Sequence, residues 1–274
     1  MSERRPAQGR WPAWFLAPAI LLATFLALPV AVLIGRALVG GSIGEALASP
    51  IVLRALGLSL ATTLLSLLAI IALGTPLAYL LARRSFRGRS LVETIIDLPI
   101  VLPPSVAGLA LLLAAGRRGL LGGTLGLIGL EIPFTTIAVI LAQIFVAAPL
   151  YVRSARTGFA AVDLELEDAA RDSGASEWEV FRHITVPLAA PAIAAGVVMS
   201  WARALGEFGA TIMFAGNVTG RTQTLPLVVF SEFQAGDLEA SIAAGAILVL
   251  AAFAALVAVR GLRWGRALDL RGTG

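Results

Sequence analysis

An all-α integral membrane protein with six spanning helices is what this sequence predicts, and three observations carry the prediction. Hydrophobic residues fill 58% of the 274 positions, charged residues only 14%, and mean hydropathy is +0.89. A soluble domain carries charge at about a quarter of its positions. Apolar runs of about 20 residues or more, the length that crosses a bilayer as a helix, recur along the chain. The arginines gather at the ends of these runs, and they do so unevenly.

What is missing narrows the function. There is no cysteine, so disulfides and thiolate metal sites are excluded, and the single histidine, His183, excludes a multi-histidine metal centre. All 21 basic residues are arginine. Without a lysine the chain has neither the phosphate-binding lysine of a Walker A loop nor a Schiff-base nucleophile. If ATP drives this protein, another subunit binds it. The sequence pI near 10.8 is best explained by a membrane surface rather than nucleic acid, because the arginines flank apolar spans.

In chain order, residues 1–11 are polar and carry Arg4, Arg5 and Arg10. The run from Trp14 to Val39 is long enough to span and lacks a clear small-residue cleavage site, so it reads as a retained first helix rather than a signal peptide. A short Gly/Ser/Pro loop leads to span two, Leu53 to Ala82, which ends in the basic turn of Arg83, Arg84, Arg87 and Arg89. Span three, Leu91 to Ala115, contains Pro99, Pro103 and Pro104, whose missing N–H groups must bend or break it. A packing kink and a pathway-lining break are both open readings, since irregular backbone at membrane depth needs protein or a water-filled cavity around it. A glycine-rich loop, Gly116 to Glu131, precedes span four, Pro133 to Val152; spans five, Leu188 to Phe214, and six, Leu238 to Val259, complete the set. The expected organisation is 1–52 (N-terminal segment, first helix and outer loop), 53–260 (the transmembrane domain, with a polar loop at 163–187) and 261–274 (a C-terminal tail).

Six spans place both termini and the loops after spans two and four on one side. Fifteen arginines fall on that side, five on the other, and Arg203 lies within a span. Positive residues mark cytoplasmic loops, so both termini and the 163–187 loop are expected in the cytoplasm.

That loop holds seven of the 17 acidic residues. Asp163 is placed to cap a helix whose first turns carry Glu165, Glu167 and Asp168, and Gly174 is a natural left-handed stop. Ser176 and Glu179 have the spacing of a capping box opening a second short helix with Trp178 and Phe181. A lipid-resting helix pair is the plainer reading, but interfacial helices are usually basic, and docking of a cytoplasmic partner explains the acidity better.

Glu167-Asp168-Ala169-Ala170, then Gly174, then Ile184-Thr-Val-Pro187, resembles the EAA loop of ABC importer permeases. The resemblance covers about residues 53–260. Val186 stands where the family has leucine, and two acidic residues precede the alanines, so which of them is the equivalent one stays open. The resemblance implies the type I permease fold, with a coupling helix between helices 4 and 5 that docks on an ATPase. It implies a homodimer of this chain, or a pair of related chains, with two ATP-binding subunits on the cytoplasmic face, ATP and Mg being used by those partners and no cofactor by this chain. Glu167, Asp168, Ala169, Ala170, Arg171, Gly174 and Pro187 are the ATPase-coupling residues it points to. Glu167 and Arg171 are also i,i+4, so a local helix pair accounts equally for their charges.

The run Ala202-Arg-Ala-Leu-Gly-Glu-Phe-Gly-Ala-Thr211 places Arg203 and Glu207 four apart inside a hydrophobic span. A charge at the bilayer centre costs at least ~2.5 kcal/mol, so the pair should face protein or a cavity. An ion pair locking the span and a substrate contact both fit. At 1.5 Å per residue Glu207 lies roughly 28 Å from Leu188, which suggests an outer gate. This run, with Thr222-Gln-Thr-Leu-Pro-Leu227, resembles molybdate permeases, with tungstate and sulfate permeases close by. It implies import of a tetrahedral oxyanion handed over by an extracytoplasmic binding protein across a bacterial or archaeal cytoplasmic membrane, with Arg203, Glu207 and Thr211 on the pathway or gate. Arg203, Thr211, Arg221 and Thr222 can supply donors to such an anion. No catalytic residue is expected: a lone Glu207 beside Arg203 is a poor intramembrane acid–base pair. A sulfate permease of the same family, and an ATP-independent secondary anion transporter, are the alternatives; the latter would need ion-coupling charges and an internal repeat.

Overall fold

The computed structural model describes residues 13–269, so the expected N-terminal segment up to residue 12 and the last five residues of the tail lie outside the described residues. Within them the chain is helical, with no strand. Helix α1 (Ala13–Val39) is followed by a short α2 (Ser42–Ala48) and by α3 (Pro50–Arg83). The third span is broken into α4 (Arg89–Val101) and α5 (Pro104–Ala115), bent by 119°. The reason is local: Leu102 and Pro103 are extended, with ψ of 134° at each, as residues before prolines must be. A one-turn-and-a-half α6 (Gly122–Leu127) interrupts the glycine-rich loop.

Helix α7 (Thr136–Ala160) continues two turns beyond the expected Val152. The polar segment folds as α8 (Leu164–Asp172) and α9 (Glu177–Val180), then passes through a π-helical turn, Phe181–Thr185, into α10 (Val186–Leu205). The expected fifth span does not run on to Phe214: it stops at Leu205, and α11 (Gly209–Phe214) is a separate short helix. An unexpected α12 (Leu225–Ala235) precedes α13 (Leu238–Asp269), which stays helical beyond Val259 into the expected tail. Among the described residues four helices are long and apolar enough to cross a membrane, or five if the bent α4–α5 pair is one span; the chain is therefore a multi-pass membrane protein.

Lipid is as apolar as leucine, so helices in a bilayer associate through close approach and hydrogen bonds rather than through water exclusion. Both devices are visible. On α7 and α10, Gly158 and Gly196 let the backbones meet: a Cβ at Gly158 would lie 2.6 Å from Ala192 Cβ, and one at Gly196 3.0 Å from Ser154 Cβ. Between α3 and α7, Tyr151 is fully buried and shares a 2.6 Å hydrogen bond with Thr75. Ser66 donates to Gln143 Oε1 at 2.9 Å, Gln143 Nε2 donates to Thr63 at 3.3 Å, and on α10 Ser200 donates to the Ala147 carbonyl at 2.9 Å. Each such bond contributes on average only about 0.6 kcal/mol in a membrane, so the interface depends on their number.

The α10–α11 break has the same origin. Gly209 sits where a Cβ would lie 2.6 Å from Pro104 Cβ, and a Cβ on Gly108 of α5 would meet Ala210 O at 2.6 Å and Met213 Cβ at 2.7 Å. Two glycines thus seat α11 directly on α5. A straight continuation of α10 would forgo that contact.

Candidate functional site

Two clusters of charge sit at opposite ends of the Glu177–Leu205 helix, which is 29 residues long and so spans about 43 Å. The first is the polar segment. Asp163 Oδ1 accepts from Glu165 N at 3.0 Å and starts α8. The helix ends in a Schellman motif, with Gly174 N donating to Arg171 O at 2.9 Å and Ala175 N to Ala170 O at 3.0 Å. Gly174 carries the required φ of 91°. Ser176 then caps α9: its hydroxyl accepts from Glu179 N at 3.3 Å, while Ser176 N donates to Glu179 Oε2 at 2.8 Å.

Arg171 clips the two short helices together. Its guanidinium meets Glu177 through Nε–Oε1 at 2.7 Å and Nη2–Oε2 at 3.2 Å, and Asp168 Oδ1 at 2.7 Å. The expected Glu167–Arg171 pair is present but longer, at 3.6 Å. Hydrogen bonds from Arg171 hold the Glu177 carboxyl below its ordinary value, the Ser176 backbone and hydroxyl do the same for Glu179, and Glu177 in turn raises Arg171.

The two adjacent acids are turned opposite ways. Asp168 is exposed, in company with Leu164, Glu165, Ala169 and Asp172 on the outward face of α8, whereas Glu167 is 1% exposed and Ala170 and Arg171 are half-buried. Glu167 Oε1 accepts from Arg83 Nη2 at 2.6 Å and from Thr185 Oγ1 at 2.7 Å. Arg83 also donates twice to the Val162 carbonyl, at 3.2 Å each. Arg83 and Thr185 escaped the sequence reading, because one looked like part of a basic turn and the other like filler before Pro187. Phe181 secures the same corner against Tyr79 of α3, Phe159 of α7 and Trp178, with centroid distances of 5.1, 6.1 and 5.8 Å. Pro187 is exposed in the first turn of α10.

At the other end, Arg203 Nη1 lies 2.5 Å from Glu207 Oε2. Glu207 is 1% exposed, in the non-helical link after α10, and its Oε1 accepts from Ala210 N at 2.6 Å. The carboxylate therefore does two jobs: it neutralises Arg203 and satisfies the first turn of α11. Its Oε2 meets the guanidinium as a close ion pair off the ideal hydrogen-bond direction. Thr211 is fully buried and its hydroxyl has no protein partner. Thr222 is buried too, but its hydroxyl is engaged in its own turn, accepting from Val218 N at 2.9 Å, and Arg221 is exposed with its carbonyl taken by Thr136 at 2.9 Å. Of the expected anion donors, Arg203 is paired with Glu207, and Thr211 follows Ala210, whose N–H the same carboxylate accepts. Among the described residues no cluster of three or more His, Cys, Asp or Glu side chains is placed to hold a metal.

Comparison with known proteins adds to this geometry. The molybdenum transport system permease protein ModB of Haemophilus influenzae is 45% identical over 188 residues, covering 68% of this chain and 82% of that protein. ModB of Mycobacterium tuberculosis is 39% identical over 241 residues (88% and 90%), and a probable molybdenum ABC transporter permease of Haloferax volcanii 38% over 254 residues (92% and 90%). The fold is shared with a chain of a bacterial alginate ABC transporter solved with a pentasaccharide-bound periplasmic protein (TM-score 0.69, 21% identity, 90% of each chain). It is shared also with a chain of the inward-facing MetNI methionine ABC transporter (TM-score 0.61, 18% identity, 77% of this chain and 94% of that one). Residues 74–269 match the family described as binding-protein-dependent transport system inner membrane component, and the chain belongs to that family.

Proposed function

We propose that this chain is the permease subunit of an ATP-driven importer that moves molybdate from an extracytoplasmic binding protein into the cytoplasm by alternating access. The observation that carries the reading is the surface of the α8–α9 segment: α8 is an acidic, capped helix that leaves Leu164 and Leu166 54% and 50% exposed, and Trp178 of α9 is 64% exposed, on a segment otherwise built for water. Apolar groups on a polar surface mark a contact with another protein. In this reading Asp168 and Ala169 touch the ATP-binding subunit, Glu167, Ala170 and Arg171 shape the helix from behind, Gly174 sets its bend, and Pro187 starts the span it pushes. ATP and Mg belong to that partner, since the chain has no lysine for nucleotide phosphates. The relatives named as molybdenum permeases supply the cargo.

The spans would be α1, α3, the bent α4–α5 pair, α7, α10 with α11, and α13, with both termini and α8 in the cytoplasm of a bacterial or archaeal cell. The unit at 53–260 would form a homodimer above two ATP-binding subunits, flanked by 1–52 and by the tail at 261–274. Arg203, Glu207 and Thr211 would line the outer part of the pathway, with the ion pair keeping Arg203 from binding the anion too tightly for release. Reconstitution with the ATP-binding subunit and binding protein tests the reading: molybdate uptake should require ATP, and molybdate should outcompete sulfate. Uptake without ATP would make the protein a secondary transporter, and transport of sulfate alone would make it a sulfate permease.

A further inference from the structure

Resting on that reading, we infer that Arg83, Glu167 and Thr185 form a buried strut that transmits movement of α8 to α3 and α10, and that Glu167 is a positioning residue rather than a contact for the ATP-binding partner. Helix α8 packs chiefly on α9 and the π turn, so its direct link to α3 is through side chains. That link is short and largely buried. Arg83 Nη2 lies 2.6 Å from Glu167 Oε1, with side chains 11% and 1% exposed. The same oxygen takes the Thr185 hydroxyl at 2.7 Å, and Thr185 is fully buried. Arg83 also grips the Val162 carbonyl, so one guanidinium holds the end of α3, the α7–α8 link and α8 together.

A buried charge pair is costly to break from either side and resists sliding, which is what a force-bearing contact needs and a solvated pair lacks. The π turn supports the assignment. Its wide turn carries Thr185 at the last position before α10 while the hydroxyl reaches back to Glu167, and single π turns inside helices are frequent at functional sites. The outward carboxylate for a partner is then Asp168, 69% exposed at its side chain.

The test uses the full complex in vesicles, reading molybdate moved per ATP hydrolysed and the amount of ATP-binding subunit that co-purifies. Thr185→Val and Glu167→Gln should keep the partner and hydrolyse ATP while transport per ATP falls roughly tenfold, the scale of one charge-assisted hydrogen bond. Thr185→Ser, which restores the hydroxyl, should stay within about twofold of wild type, and Asp168→Asn should instead lose the partner. Normal coupling in both Thr185→Val and Glu167→Gln, or loss of the partner in Glu167→Gln, overturns the strut. Should Thr185→Val fail to insert, the volume-conserving Glu167→Gln decides alone. If wild type itself moves anion without ATP, the importer reading fails and not the strut alone.

Discussion

The two charged clusters at the ends of the Glu177–Leu205 helix use the same chemistry for different purposes. Glu167 and Glu207 are each 1% exposed, and each faces an arginine. Glu167 is held by partners from distant parts of the chain, Arg83 being 84 residues away. Glu207 is held by its neighbours, Arg203 four residues back and Ala210 three ahead. The first arrangement ties separate helices into one body. The second stabilises the break between α10 and α11 through contacts that are local in sequence. Linkage between distant segments at the proposed docking end and a locally satisfied break at the other is the contrast the structure offers.

The sharpest way to break that contrast is Glu207→Ala, which leaves Arg203 unpaired and Ala210 N without its acceptor. Arg203 is itself 32% exposed, so the cost is set by the lost pair and the unsatisfied Ala210 N–H, about 2–3 kcal/mol. Thermal unfolding in detergent should fall accordingly, and rescue by the double replacement with Arg203→Ala would show that the unpaired charge was the cause. Next, Gly108→Val should cost about 1–3 kcal/mol by overpacking against Ala210 and Met213, displacing α11. Measured in the same assay, an unchanged melting point would mean that α11 does not depend on α5.

Gly174→Val tests the other end. The position has φ of 91° but open space around it, so the expected cost is about 1–2 kcal/mol of local strain, without a clash. It should uncouple ATP hydrolysis from transport while the chain still inserts, and normal coupled transport would count against the docking assignment. The smallest effect belongs to the Arg171–Glu177 clip. Because Glu177 is depressed in the folded chain, its contribution is present above the ordinary carboxylate pKa of 4.5 and is lost as pH falls through the folded value. Hydrogen exchange over 164–180, corrected for intrinsic rates, should quicken below about pH 4 and also in high salt, as solvated pairs are screened.

How much of this was legible beforehand varies by the range of the interaction. The Asp163 cap, the Gly174 stop and the Ser176–Glu179 box each involve residues within a few positions of one another, so spacing alone revealed them. The orientation of Glu167 against Asp168 was not legible, since adjacent acids look alike until the helix is docked. Nor was the stop at Leu205, because the Gly206–Gly209 stretch breaks the span only for the sake of Gly108 and Pro104 on another helix. The short helix α12 was hidden for a related reason, its eleven residues being too few to register as a span.

By itself, then, the sequence determined the membrane class, the positions of the long apolar runs and the local caps of the polar segment. These depend on composition and on hydrogen bonds between near neighbours. Only the tertiary structure decided which carboxylate turns inward, that Arg83 and Thr185 meet it, and where the long fifth span breaks. Those outcomes follow from burial between helices distant in sequence, where close approach at glycines and the pairing of charges withdrawn from water select one arrangement.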